Sequence, residues 1–353
     1  MATQSEVVFR IPDTLTYWPW PRKINPHYGE VKAASETWFR SFKAFGPRAQ
    51  SAFDRCDFSL LCSLAYPTAT KEHLRTTCDL MNLFFIFDEY TDNAPPEIVR
   101  QYADIVMDVI RDPTKPRPND EAILGLVAQD PAHSDFLGFW GRCVKSASNT
   151  SLKRFVEAFE HYTDAVVEQA KDRHHHYIRN IDDYFGVRRL TIGVDPSYAM
   201  LELGYDLPDE VFYHPTVVAL RRMSCDLIIM DNDLASYNKE QALEEYPHII
   251  FSVMNELNCD LGDALSWVED HHRSIRTKFL TLWTEIPSWG PDIDVLAPRY
   301  LHGTANWVRG DCCWSFESER YFGSNGRAVQ EHRIVTLMPK QFSMSEPLLV
   351  HSQ

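Results

Sequence analysis

Apolar residues recur three and four positions apart along most of the chain, the spacing of one face of an α-helix. The pattern predicts helices over 51–66, 73–87, 96–111, 152–177, 217–237, 261–282 and 299–322. Breaks fall where proline and glycine stand: Tyr66-Pro67, Asn93-Ala-Pro-Pro96, the loop 113–119, Asp195-Pro196 and Trp289-Gly-Pro291. Period-two runs joined by Asn-Gly or Asp-Gly turns are missing, so no strands are expected. There is no repeat of fixed period and no step in composition. The expected architecture is a single all-α domain over 1–353, a bundle of about ten helices around a deep apolar cavity. The segment 1–33, with Phe9-Arg-Ile-Pro12, Trp18-Pro-Trp-Pro21 and Asn25-Pro-His27, is too aromatic for a free tail and is expected to lie over the bundle. Residues 343–353 are expected to form a disordered tail.

Composition narrows this further. With 44% hydrophobic and 24% charged residues the chain is ordinary globular text, which excludes wholesale disorder and collagen-like repeats. The longest apolar run, Leu83 to Phe87, is cut off by Asp88 and Glu89, far short of the roughly 20 residues of a membrane span. A net charge of −15 argues against nucleic acid as a partner and suits a protein that collects divalent cations. The start of the chain shows no charged leader before an apolar core, so no secretory signal is expected. The eight cysteines form no Cys-x-x-Cys pair, and buried free thiols in a reducing, cytoplasmic compartment are the economical reading.

Two acidic clusters carry the chemistry. One apolar helix ends in Asp88-Glu-Tyr-Thr-Asp92. Asp88 and Asp92 lie about 40° apart around the axis and about 6 Å along it, so they share a face. Met81, Phe84 and Phe85 fall within about 60° of Asp88, which makes the stripe apolar below and acidic at its tip. A single acidic tip is equally the way a core helix ends in water. The second cluster is Asp231-Asn232-Asp233-Leu-Ala-Ser236-Tyr-Asn-Lys239-Glu240. Relative to Asn232, Ser236 stands near +40°, Glu240 near +80° and Lys239 near −20°, each angle being about a helical estimate. Helical side chains lean toward the N-terminus, so Glu240 can reach back to share an ion with Ser236 and Asn232. Amide, hydroxyl and carboxylate oxygens select magnesium or manganese over zinc. Lys239 adds a positive charge suited to phosphate oxygens. Together the clusters suggest a ligand with a diphosphate head and a hydrocarbon tail.

On these motifs the chain resembles class I terpene synthases, specifically the fungal (basidiomycete) sesquiterpene synthases, from Phe9-Arg-Ile-Pro to Arg320-Tyr321-Phe-Gly. The surrounding text is similar to the humulyl-type branch that forms Δ6-protoilludene, and linalool or nerolidol synthases look similar there. The resemblance implies three magnesium ions, with manganese a substitute. Asp88 would bridge two of them with Asp92 nearby; Asn232, Ser236 and Glu240 would hold the third. Lys239, Arg320 and Tyr321 would donate to diphosphate oxygens. A sensor arginine should stand at a helix break, and Arg188-Arg189-Leu-Thr-Ile-Gly193 fits. Arg189 is favoured, since Gly193, four residues on, would then supply an effector carbonyl. Ile192 occupies the linker slot where bacterial relatives often carry an acid, which leaves Arg188 open as the sensor. The implied reaction is ionisation of farnesyl diphosphate and cyclisation, with 1,11-closure to a humulyl cation as the leading route. Acyclic alcohol formation is the alternative; chain-elongating prenyl transfer and a non-catalytic helical scaffold are remoter ones. Relatives of this kind are monomers or weak homodimers.

Aromatic spacing supplies candidates for the cavity wall. Trp307, Trp314 and Tyr321 are spaced by sevens and would drift only about 20° per step along one stripe. Trp314 is the candidate cation-facing ring, with Phe84 and Phe85 opposite; an aromatic stripe is as readily plain core. His174-His-His176 and His271-His272 read as solvated helix faces, because successive positions point 100° apart and cannot share one ion unaided. Adjacent Cys312 and Cys313 would make a strained disulfide and read as core. The nearest text to a protonating Asp-x-Asp-Asp motif, Asn180-Ile-Asp182-Asp183, lacks the first acid.

Overall fold

The computed structural model describes residues 7–112, 115, 127, 139–243 and 247–340. In chain order its helices are α1 (Tyr28–Ser41), α2 (Pro47–Arg55), α3 (Phe58–Ala65), α4 (Lys71–Thr91), α5 (Pro96–Arg111), α6 (Phe139–Ser146), α7 (Asn149–His174) and α8 (Ile181–Thr191). There follow α9 (Val194–Ala199), α10 (Asp209–Phe212), α11 (Pro215–Leu243), α12 (Ile249–Leu257), α13 (Leu261–Trp283), α14 (Ile293–Glu317) and α15 (Gly326–His332). The all-α class is as the periodicity implies. The expected loop 113–119 lies almost wholly, and the expected tail 343–353 entirely, outside the described residues.

Side-chain caps set the helix starts. Thr70 accepts from the His73 N–H ahead of α4, Ser148 from Ser151 ahead of α7, Asn180 from Asp183 ahead of α8 and Asp260 from Asp263 ahead of α13. Each satisfies one of the orphan donors that a helix N-terminus leaves. The predicted helix 51–66 divides at Asp57, which turns to φ +47° and accepts from the Leu60 N–H at 3.0 Å. Apolar spacing continues through that point, but an aspartate that caps in the left-handed region restarts the helix. The predicted 299–322 begins earlier, at Ile293, and stops at Glu317, where Ser318 becomes extended. Tyr321 therefore lies beyond the helix, not on its stripe.

At the centre, α11 packs against α13 and α14; α14 packs on α3, α5 on α7 and α1 on α4. The α3–α14 approach is close because Gly310 faces backbone: a Cβ there would stand 2.8 Å from the Ala65 nitrogen. From Val7 onward the N-terminal segment lies over the bundle. Trp18 donates its indole N–H to the Ala305 carbonyl at 3.0 Å, and Arg309 donates to the carbonyls of Leu15, Trp18 and Trp20. Contrary to expectation there is a sheet: β1 (Val8–Arg10) pairs antiparallel with β2 (Ile334–Thr336), Phe9 opposite Val335. Strands of three residues are too short to leave a period-two signal.

Gly310→Ala should lower stability by about 1–3 kcal/mol through overpacking against backbone that cannot yield. Urea denaturation reads this as an earlier midpoint at unchanged slope; an unshifted midpoint would show that α3 and α14 can part freely.

Candidate active site

A cavity of about 170 Å³ opens among α3, α4, α7, α11 and α14, closed on one side by the α8–α9 turn and on another by Arg320 and Tyr321. Its apolar end is lined by Leu61, Met81, Phe84, Ile228, Trp307 and Trp314, with Phe85 beside them. The other end carries Asp88, Asp92, Asn232, Lys239 and Glu240. The two oxygen-rich helices thus meet at one mouth, as the motif geometry requires.

Charge arrangement confirms that the clusters share one space. Arg188 is a buried guanidinium that donates to the Asn232 side-chain oxygen at 2.9 Å. Burial opposes its charge, but Tyr184, Asp233, Glu240 and Asp88 together outweigh that and raise its pKa. Arg320 behaves likewise: burial acts against it, while Tyr321, Asp88 and Glu89 favour the cation. It reaches Asp88 at 3.4 Å and lies 4.8 Å from the centre of the Phe85 ring. Burial pushes the Glu89 carboxyl up, with Arg320 and Lys239 pulling it down. Glu240 also stands 3.7 Å from the ring of His248, which is buried outside the cavity.

Of Asp231, Asn232 and Asp233, only Asn232 faces the cavity. Its amide N–H donates to the Tyr321 hydroxyl at 3.0 Å, so Arg188, Asn232 and Tyr321 form a chain across the mouth. Asp231 accepts from the Thr14 hydroxyl at 2.6 Å. Asp233 accepts from Tyr184 and from the Ile249 N–H. Ser236 does not line the cavity; its buried hydroxyl contacts the Asp233 carbonyl at 3.4 Å.

The favoured Arg189 is not brought to the site. Its guanidinium pairs with both oxygens of Asp226 at 2.5 and 3.0 Å, away from the cavity. Neighbouring helical positions point about 100° apart, so only one of the two arginines can face inward, and it is Arg188. Gly193 does line the cavity, at φ +74°, where a Cβ would sit 3.4 Å from the Phe84 ring. Its carbonyl accepts from the Ser197 hydroxyl at 2.7 Å, which starts α9. Ile192 lines the cavity beside it.

Aromatic rings hold the wall. Trp314 donates its indole N–H to the carbonyls of Cys56 and Asp57, at 2.7 and 3.1 Å, which pins the ring to the α2–α3 turn. It meets Tyr321 edge-on at 5.8 Å despite the helix end between them. Phe85 stacks on Phe58 at 3.6 Å, and Phe84 meets Tyr162 edge-on at 4.9 Å.

Several lining groups escaped the motif reading. Tyr162, Val166, Gln169 and Arg173 form one stripe of α7 at spacings of four, three and four, a signal that was present in the text. Arg173 donates to the Thr91 carbonyl at 2.8 Å, beside Asp92. Asp311 is buried, lines the cavity and has one oxygen without a hydrogen bond; burial and nearby Asp231 push its carboxyl up to about 8. His272, read as solvated, is instead buried 3.4 Å from Asp231, because α13 turns that face onto α11. His174, His175 and His176 are exposed, and Cys312 and Cys313 are buried free thiols.

An α-bundle that gathers carboxylates, an amide and several cations around the mouth of an aromatic hollow defines the class I terpenoid synthases. A family model described as "Terpene synthase family 2, C-terminal metal binding" matches residues 79–278, and the chain belongs to that family. Δ6-protoilludene synthase 18 of Postia placenta is 49% identical over 331 residues, 94% of this chain and 93% of that protein. A Δ6-protoilludene synthase of Stereum hirsutum is 50% identical over 96% of this chain and 90% of its own length. Sesquiterpene synthase 14 of Postia placenta is 50% identical over 96% of this chain and 95% of its own. Among solved structures, the Streptomyces clavuligerus linalool/nerolidol synthase in complex with 2-fluorogeranyl diphosphate superposes with a TM-score of 0.74 at 20% identity, covering 86% of this chain and 99% of that one. The SVS_A2 protein from ancestral sequence reconstruction gives 0.72 at 23% identity, covering 85% and 89%. These likenesses show the fold.

Asp311 makes a pH prediction. Its folded pKa stands above the unfolded value of 3.8, so its contribution to stability is fully present below that value and is lost as pH rises through about 8. Asp311→Asn removes this loss. Urea midpoints from pH 5 to 9 should fall for the wild type relative to the variant, and parallel curves would show that Asp311 is charged throughout.

Proposed function

We propose that the chain is a divalent-metal-dependent sesquiterpene cyclase that ionises farnesyl diphosphate and closes it by a 1,11 bond to a humulyl cation, leading to Δ6-protoilludene or a related hydrocarbon. The observation that carries this is the convergence of both oxygen clusters with Arg188, Lys239 and Arg320 at the mouth of one aromatic cavity. The Δ6-protoilludene synthases, near 49% identical over almost the whole chain, support the product class. The acyclic alcohol reading has only a shared fold behind it.

The donor set suits magnesium. The groups available at the mouth are hard oxygens, and no cysteine or histidine lines the cavity among the described residues. Asp88 and Asp92 would hold ions on one side; Asn232, Ser236 and Glu240 would do so on the other, Ser236 by rotating its hydroxyl. Magnesium held there, three ions by family resemblance, would supply charge neutralisation for the leaving diphosphate. Arg188, Lys239 and Arg320 donate hydrogen bonds to its oxygens from positions already held by the protein, so little reorganisation accompanies bond breaking. The Tyr321 hydroxyl adds a further donor. As the C–O bond breaks, the pinned Trp314 ring and the Phe84 and Phe85 rings face the cation with their negative π-faces. The narrow apolar end leaves little room for water that would quench it. The described helices include none long and apolar enough to cross a membrane. A single domain over 1–353, monomeric or weakly dimeric, completes the reading, and eight free cysteines support a cytoplasmic location for it.

Purified protein given farnesyl, geranyl and geranylgeranyl diphosphates with magnesium should turn farnesyl diphosphate into one main cyclic hydrocarbon, identified by gas chromatography and mass spectrometry. Diphosphate release without any terpene would overturn cyclisation. Asp88→Ala and Glu240→Ala should each cut kcat/KM by about 10²-fold or more. Arg188→Gln should cost about 10²–10³-fold in kcat, as expected for a lost charge-stabilising donor. Arg189→Gln should instead lower thermal stability through its lost partner Asp226 and leave kcat within about tenfold. Equal kcat losses would put both arginines in the machinery.

A further inference from the structure

Behind the apolar end of the catalytic cavity lies a second cavity of about 380 Å³, and no residue lines both. Tyr66 lines the second and Trp307 the first; their rings meet edge-on at 5.4 Å and form the partition. The second cavity is built where the N-terminal segment crosses the start of α4, the Met200–Leu203 turn and the first half of α14. One side is apolar, formed by Met200, Leu201 and Leu203. The other presents Lys23, Arg299, His73 and His302.

Two features of this lining bear on what it could hold. The chain has 50 acidic against 35 basic side chains, yet neither Lys23 nor Arg299 pairs with a carboxylate among the described residues. Arg299 lies instead over the Tyr205 ring, 4.3 Å from its centre. That stacking orients the guanidinium but leaves its hydrogen-bond fork without an anion. The second feature is the field this creates. Burial lowers the pKa of His73, Glu72 pulls it partly back and Arg299 lowers it by a smaller amount; His302 is lowered by burial and then by Lys23. A groove with exposed cations on one wall, neither paired with a described carboxylate, and hydrocarbon on the other suits an amphiphilic anion.

We propose that this second cavity is a binding site for a small organic anion with an apolar body, whose carboxylate or phosphate group meets Arg299 and Lys23 while the body covers Met200, Leu201 and Leu203. An inorganic anion would lack the apolar half, and a neutral hydrocarbon would make no use of the cations. Its volume falls within the range of about 300–1,000 Å³ typical of small-molecule sites. The site is independent of the reaction proposed above, since it shares no side chain with the catalytic mouth.

The test is displacement of 8-anilinonaphthalene-1-sulfonate fluorescence from the full-length protein. Competitors are decanoate and decyl phosphate, with decanol and inorganic phosphate as the half-ligands. Either anionic amphiphile should displace the probe, the more effective one identifying the head group, and both half-ligands should be at least about tenfold weaker. Combined Arg299→Gln and Lys23→Gln should weaken displacement about tenfold or more, while Arg299→Lys should restore most of it and Asp88→Asn should have no effect. If the double variant does not fold, Asn306→Phe fills the space with both cations kept and should abolish displacement. Equal potency of decanol, undiminished binding without the two cations, or loss of binding in Asp88→Asn would each overturn the proposal.

Discussion

The structure depends on one constraint: α11 runs through the middle of the bundle carrying polar side chains that are largely withdrawn from water. Asp226, Asp231, Asn232 and Asp233 are all buried on it. A buried polar group without a partner costs several kcal/mol, roughly the amount by which a domain is stable at all. Each therefore needs a partner, and the partners come from different parts of the chain. Arg189 on α8 pairs with Asp226, Thr14 of the N-terminal segment with Asp231, Arg188 and Tyr321 with Asn232, and Tyr184 with the Ile249 N–H for Asp233. Satisfying one helix ties it to α8, to the start of α12, to the N-terminal segment and to the turn after α14.

Catalytic geometry follows from the same network. Asn232 is held in line because the residues on either side of it are fastened in other directions. The two arginines on α8 point apart: Arg189 pairs with Asp226, and Arg188 faces the mouth and donates to Asn232. On the opposite wall, the carbonyls of Cys56 and Asp57 fix Trp314 through its N–H, so an aromatic face is presented to the cavity without a stray donor. Asp57 in its left-handed conformation thus serves twice, as the cap of α3 and as an acceptor for that indole.

Helix periodicity and the two oxygen-rich motifs were legible because they are local. Positions 88 and 92, or 232 and 240, belong to single helices whose geometry is set within a few residues. The same locality explains the failures. Reading Arg189 as the inward arginine required knowing which way α8 is rolled, and the partner that decides this, Asp226, stands 37 positions away. Taking Trp314 and Tyr321 as one stripe assumed a helix that ends at Glu317; the rings meet regardless, through the turn that follows. His272 looked like a solvated residue until α13 was packed on α11.

By itself, then, the amino-acid order determined which segments become helices, which of their faces are apolar, and which side chains are capable of holding hard cations and phosphate oxygens. Those are properties of spacing and of functional groups, and they survive any rearrangement of the helices in space. Tertiary structure alone decided which of two adjacent arginines faces inward, that Asp311 loses its water, that Ser236 turns its hydroxyl into its own helix, and that a second cavity with unpaired cations lies behind the Tyr66–Trp307 partition. The reason is physical: desolvation and partner choice depend on everything within a few ångströms, and most of what lies there comes from distant parts of the chain.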